Sequence, residues 1–220
     1  MIYNMDFLIS AMIILMLILW HFLGQKRAED LNNRVFLFFA VLGTADVVAE
    51  FFTNYYITSY NSDMENAAVI VTTIFYLLQA LLPATFIFYI QTLHEQKIIS
   101  AKKMFISGVP TLVLISVILT NPFTEKLFSF DVTAGYVKGP WYLLMYVSAL
   151  GHFAAALLLI LLWRKKLGPQ KVKILFEIFA ISGAGVVLQM FCQSLLMTGF
   201  GMSLGILALF ITINNPNANL

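Results

Sequence analysis

Asp46 and Glu50 lie four residues apart in GTADVVAEFF, inside a run that is otherwise apolar. On an α-helix that spacing stacks both carboxyls on one face, one turn apart, with Gly43, Thr53 and Asn54 extending the same side. Two acids so placed can hold a cation or bind a polar ligand, and they can also hydrogen-bond neighbouring helices together. Further polar groups occur in other apolar blocks: Gln79, one turn before Pro83; His152, flanked by Ser148, Ala149, Ala155 and Ala156; and Gln189, near Ser182, Gly185, Cys192 and Gln193. If their faces converge, the molecule has a polar centre of acids, an imidazole and amides. The bonding alternative is weak for the acids, because interhelical hydrogen bonds in membrane proteins average only about 0.6 kcal/mol.

Composition determines the medium these groups occupy. Of 220 residues, 60% are hydrophobic and 11% charged, with mean hydropathy +0.88. Soluble domains carry roughly 25% charged residues, so this chain has too few to cover a water-facing surface. The apolar residues fall in blocks near the length that crosses about 30 Å of hydrocarbon. They predict an all-α integral membrane protein with seven transmembrane helices, at about 5–23, 35–57, 67–92, 104–120, 141–163, 174–196 and 200–214. The first block, with Asp6 as its early charge, lacks a basic leader and a small-residue cleavage site and reads as a retained helix.

Orientation follows the basic residues, which short cytoplasmic loops retain. Lys26, Arg27, Arg34, Lys97, Lys102, Lys103, Arg164, Lys165, Lys166, Lys171 and Lys173 follow the first, third and fifth blocks, while Lys126 and Lys138 alone fall on the other side. That asymmetry places the amino terminus outside and the carboxyl terminus in the cytoplasm. It also bears on the second block, whose two acids cost roughly 5–7 kcal/mol at a helix centre against about 3–6 kcal/mol returned by its eleven large apolar residues. If this block did not span, the asymmetry would collapse, so it reads as a span that needs its neighbours. Trp20 and Trp163 fall at the inferred cytoplasmic edge, and Tyr55, Tyr56, Trp141 and Tyr142 at the outer one, as aromatic belts do.

Asn121, Pro122 and Pro140 punctuate the ends of the fourth and fifth helices, with TEKLFSFDVTAGYVKG between them. Phe128, Phe130 and Val132 alternate, Thr133-Ala134-Gly135 offers a turn, and Tyr136-Val137 resumes the strand pattern, predicting an extracellular β-hairpin over the outer mouth. Phe128, Phe130, Asp131, Tyr136 and Trp141 are its candidate contact residues; a flexible loop is the alternative.

Other functional classes find little support. Net charge +2 and no basic–aromatic tract exclude a nucleic-acid partner. Cys192 is the sole cysteine, and His21 and His94 have no metal-ligand spacing, so no metal or cofactor is expected. No nucleophile–base arrangement, phosphate loop or zinc motif occurs, and the chain does not read as an enzyme. Glu177, four residues past Lys173, reads as a salt bridge at the membrane edge. Gly201 and Gly205 read as close helix packing, and the ten methionines as packing filler.

Three stretches together, RAEDLNNRVFLFFAVLGTADVVAE, LTNPFTEKLFSFDVTAGYVKGPWYLLMY and LGILALFITINNPN, resemble the seven-helix amino-terminal sensor region of bacterial, mainly Gram-positive, GGDEF-type diguanylate cyclases and related histidine-kinase receptors. The likeness covers nearly the whole chain. It implies a multi-pass sensor of the plasma membrane, occupying residues 1–214, with 215–220 opening a cytoplasmic linker. Its implied partners are the bilayer, an extracellular or membrane-soluble ligand, a cytoplasmic cyclase or kinase, and a second copy of the chain. The departure is at INNPNANL, where the effector domain of that family would begin and no GGDEF or kinase motif follows. The chain then reads as the membrane half of a longer receptor or as a stand-alone relative acting through partners. A small seven-helix transporter with parallel repeats and a membrane scaffold subunit are the alternatives. Against the transporter, the sixth helix has no counterpart of Asp46 and Glu50, and Pro169-Gln170 reads as loop.

Overall fold

A computed structural model describes residues 5–25, 30–95, 101–131, 133–192 and 196–213. Lys26, Arg27, Lys97, Val132, Gln193 and the segment 214–220, including the expected cytoplasmic linker, lie outside the described residues.

Among the described residues the chain forms seven α-helices: α1 (Asp6–Gly24), α2 (Leu31–Thr58), α3 (Glu65–Glu95), α4 (Ala101–Thr124), α5 (Leu143–Leu167), α6 (Pro169–Phe191) and α7 (Met197–Thr212). Five of them, α1, α2, α3, α5 and α6, are long and apolar enough to cross a bilayer; α7 and the described apolar part of α4 are shorter. Their outward faces are as apolar as the core. α1 buries Leu8, Ala11, Leu15, Ile18 and Phe22 and exposes Ile13, Met16, Leu17, Trp20 and Leu23. Large aliphatic side chains over a whole exposed face suit hydrocarbon as the surrounding medium, because in water such a face would drive association.

α2 is the most buried of the five long helices. Asp30 caps its start, its carboxylate accepting the Asn33 N–H at 2.8 Å. The helix then runs unbroken past both acids, packed by α1, α3 and α7. The bundle closes as a ring, with α7 against α1, α2 and α6, and α3 against α2 and α5, while α4 lies outside, on α3 and α5. The core accordingly falls into two clusters. The larger joins α1, α2, α7 and parts of α3, α5 and α6; the smaller joins Ala49 of α2, Phe75 and Tyr76 of α3, Leu114 and Ile118 of α4, and Leu127, Phe128 and Phe130.

Several helix boundaries differ from expectation: α2 already starts at Leu31, α6 ends at Phe191 and α7 starts at Met197. Pro169 and Gln170 are not loop but the first turn of α6, which begins five residues earlier than hydropathy indicates. Gly168 makes the break with φ +81°, and proline suits the first helical position because the N–H it lacks would have had no partner there. α4 likewise runs through Pro122 to Thr124 instead of stopping at Asn121. Asn121 instead anchors the chain that follows. Buried, it donates through Nδ2 to the Phe128 carbonyl at 3.0 Å and accepts the Leu127 N–H at 2.7 Å.

That chain forms β1 (Phe128–Asp131) and β2 (Gly135–Lys138), paired antiparallel with Phe128 opposite Lys138 and Phe130 opposite Tyr136. Asp131 accepts the Thr133 and Ala134 N–H groups, both at 2.8 Å, and Gly135 adopts φ +69°, the left-handed conformation that a three-residue connection demands. At the base, a side chain on Gly139 would collide with the Lys126 carbonyl, so glycine alone lets the two strand ends meet.

Candidate functional site

The inward side of α2 is built by positions 43, 46, 47, 50, 53 and 54, a three-and-four repeat that puts all six on one helical stripe, and all six are buried. Asp46, Glu50 and Thr53 are each 3% exposed. Asp46 Oδ1, Glu50 Oε2 and Thr53 Oγ1 have no hydrogen-bond partner among the described residues. Asn54 donates to the backbone carbonyl of Glu50 at 2.8 Å, not to its carboxylate.

Opposite this stripe lies the first turn of α7. A Cβ at Gly199 would stand 2.8 Å from Glu50 Oε2, 3.2 Å from Leu8 Cδ2 and 3.3 Å from Val47 Cγ2. The carboxyl group therefore presses on the α7 backbone where a side chain would otherwise sit. The approach is mutual lower down, where a Cβ at Gly43 would meet Ile206 Cδ1 at 2.8 Å. The first turn of any helix has N–H groups without intrahelical acceptors and carries a partial positive charge. One of them, the Thr198 N–H, is taken by Gln189 Oε1 of α6 at 2.8 Å. Gln189 and Glu50 thus grip consecutive residues of the same turn from α6 and α2.

Small residues on α6 and α7 permit this. A Cβ on Gly185 would stand 2.9 Å from the Met197 carbonyl oxygen, and one on Gly201 would stand 3.2 Å from the Ile181 carbonyl oxygen. Gly205 meets Ile178 and Ser182 in the same way, so the Gly201–Gly205 pair packs against α6.

The other candidates do not join the acids. His152 is buried between α4 and α5, its Nε2 2.8 Å from Thr111 Oγ1 and its Nδ1 2.7 Å from the Ser148 carbonyl. An imidazole carrying its proton on Nδ1 satisfies both contacts, donating to Ser148 and accepting from Thr111. One of these bonds joins α5 to α4 and the other stays within α5. Gln79 is half-buried on α3, with no hydrogen bond among the described residues. Glu177 pairs with Lys173 at 3.7 Å, both side chains exposed.

Phe128 and Phe130 are buried, and the hairpin seats on α3 through aromatic rings. Tyr136 and Tyr76 join hydroxyls at 2.5 Å, Tyr60 stacks on Phe130 at 5.1 Å, and Trp141 stays half-exposed under Lys126. Asp131 lies at the exposed turn, where the Thr133 hydroxyl and the Ala134 and Thr133 N–H groups hold its carboxyl below the ordinary range. The hairpin belongs to the smaller core cluster, whereas Glu50 faces α7. Gly199, which lies against the acid, carries no period or motif that marks it in sequence, and Asn121 is legible there as a helix-end residue but not as the anchor of the hairpin.

Among the described residues no three His, Cys, Asp or Glu side chains gather as metal ligands. Comparison of the chain with protein-family models, with curated proteins and with solved structures returns no match.

Proposed function

We propose that the chain is a membrane-embedded input module of bacterial signal transduction, in which the Asp46–Glu50 side of α2 receives a signal and α7 passes it to a cytoplasmic effector such as a diguanylate cyclase or a kinase. In this reading all seven helices span the plasma membrane, the amino terminus and the hairpin face outward, and α7 leads to the cytoplasmic side. The division of eleven basic residues against two supports that orientation. The resemblance to seven-helix sensor regions supports the class.

The observation that carries the proposal is the seat of Glu50 Oε2 against Gly199 in the first turn of α7. Any ligand or charge change at Glu50 alters what α7 touches. A buried acid next to the positive end of a helix has one interaction energy with that helix close by and another with it displaced. A ligand that prefers one arrangement shifts the population by its differential affinity alone. Couplings of this kind are typically about 1–3 kcal/mol, or roughly 5–150-fold in affinity.

The test joins a cyclase or kinase domain after Leu220 and compares Asp46→Asn and Glu50→Gln with the parent in cells. The proposal expects both substitutions to shift effector output in the same direction. Output identical to the parent under all growth conditions removes the pair from signalling. Reporter fusions in the connections before α4 and after β2 check the orientation.

A further inference from the structure

We infer that the corner where α5 passes into α6 is a docking site for the headgroup of an anionic phospholipid, with Arg164, Lys165, Lys166, Lys171 and Lys173 as its cations. The inference goes beyond the input reading and makes no use of Asp46 or Glu50.

One residue makes the corner. Gly168 closes α5, its N–H donating to the Arg164 carbonyl at 3.2 Å, and its own carbonyl accepts the Val172 N–H at 3.2 Å as α6 begins. Its φ of +81° lets the chain change direction with no loop between the helices. Three cations in the last turn of α5 and two in the first turns of α6 therefore fall within ten residues. Arg164, Lys165, Lys166 and Lys173 are exposed, and Lys171 is half-buried.

Charge is the first observation. α5 and α6 together hold one acid, Glu177, and it pairs with Lys173 at 3.7 Å. The negative end of α5 suits the cations of its last turn. No such effect favours Lys171 and Lys173. They stand at the positive end of α6, whose first turn has no acid, and follow directly on three like charges. Five cations gathered against their own repulsion call for an anion from outside the chain.

The surrounding medium is the second observation. Leu158, Leu161 and Leu162 form an exposed stripe on α5, and Lys165 and Lys166, three to four residues further on, extend it to the helix end. On α6, Lys173 heads a stripe that runs through Phe176, Ala180 and Ala184 to Leu188. Both helices are long and apolar enough to cross a bilayer, so both stripes suit hydrocarbon and both end in lysine at the same edge. A lysine so placed lays its aliphatic stem along the lipid chains and carries its ammonium to the headgroups. Arg164 adds a guanidinium, whose paired N–H groups match two oxygens of one phosphate. The anion at that depth is the phosphate of a lipid; a dissolved anion has no reason to favour the ends of two lipid-facing stripes.

The test titrates the purified full chain in a neutral detergent at low salt with dioleoylphosphatidylglycerol and, separately, with dioleoylphosphatidylcholine, counting bound lipids per chain by native mass spectrometry. Close to a membrane surface each lysine contributes about fivefold in affinity for anionic lipid. One phosphatidylglycerol should therefore bind about tenfold or more tightly than phosphatidylcholine, and added salt should narrow the difference. Lys165→Gln and Lys171→Gln, one from each helix, should each weaken its binding by about fivefold and together by roughly thirtyfold, whereas Lys165→Arg with Lys171→Arg should retain it. Lys126→Gln with Lys138→Gln removes the same charge at the hairpin and should leave binding unchanged. Equal binding of the two lipids, displacement of the bound lipid by inorganic phosphate at matched concentration, a loss confined to the variant of one helix, or an equal loss in the hairpin variant would each overturn the corner as a lipid site.

Discussion

Gly199→Ala tests the contact on which the reading of the bundle depends. The added Cβ would lie 2.8 Å from Glu50 Oε2, about 0.6 Å inside the 3.4 Å at which ordinary contact begins, with Leu8 and Val47 closer than ordinary by only 0.2 and 0.1 Å. Overpacking of this kind costs roughly 1–3 kcal/mol, and replacing a helical glycine by alanine returns up to about 1 kcal/mol. The single variant should therefore lose about 0–2 kcal/mol. Glu50→Ala removes the atom that is struck, and in that background Gly199→Ala should be neutral or stabilising by up to about 1 kcal/mol. The double-mutant cycle then gives a coupling of roughly 1–3 kcal/mol between residues 50 and 199. At about 2–4 °C per kcal/mol for a chain of this size, thermal unfolding of the four proteins in one detergent resolves it. A coupling below about 0.5 kcal/mol, within the scatter of independent sites, refutes the apposition of Glu50 and α7.

Thr111→Val leaves His152 Nε2 without its donor and should lower stability by about 0.6–1.7 kcal/mol, measured as a thermal midpoint, while leaving the output of an effector fusion unchanged because the pair lies away from α7. Asp131 supports the hairpin turn through a carboxylate whose pKa is lowered by the Thr133 hydroxyl and the Ala134 and Thr133 amides. A depressed folded-state pKa means the turn has its full contribution above the ordinary aspartate value of about 3.9 and loses it as pH falls through the lower folded value. An NMR titration of the Ala134 and Gly135 amide shifts should accordingly show a midpoint below that value, and Asp131→Asn should abolish it.

Hydropathy located the helices because each needs a long apolar run, and the three-and-four spacing around Asp46 correctly indicated a buried stripe. The hairpin was legible for a related reason: Phe128 and Phe130 alternate, and a glycine stands where the turn needs positive φ. What hydropathy missed are the ends. α6 begins at Pro169 and carries Lys171 and Lys173 in its first turns, residues that a search for apolar runs assigns to loop. The polar groups also do not all converge, and His152 is kept apart for a topological reason. Nothing in the sequence shows that α4 lies outside the ring, and it is α4, through Thr111, that takes His152 away from the acids. Gly199 is equally silent, since its role depends on which helix lies opposite.

The place of α7 against α1 and α2 has a consequence for biosynthesis. Residues 58 to 212 separate the end of α2 from the end of α7, a stretch that a ribosome working at about 5–20 residues per second needs roughly 8–30 s to translate. Throughout that interval the newly inserted α2 shows its acid-bearing flank to whatever surrounds it. The early helix α2 is thus completed by a much later one, and a nascent chain halted before α7 would display the Glu50 carboxyl uncovered at membrane depth, a mark by which quality-control machinery could tell an unfinished molecule from a finished one.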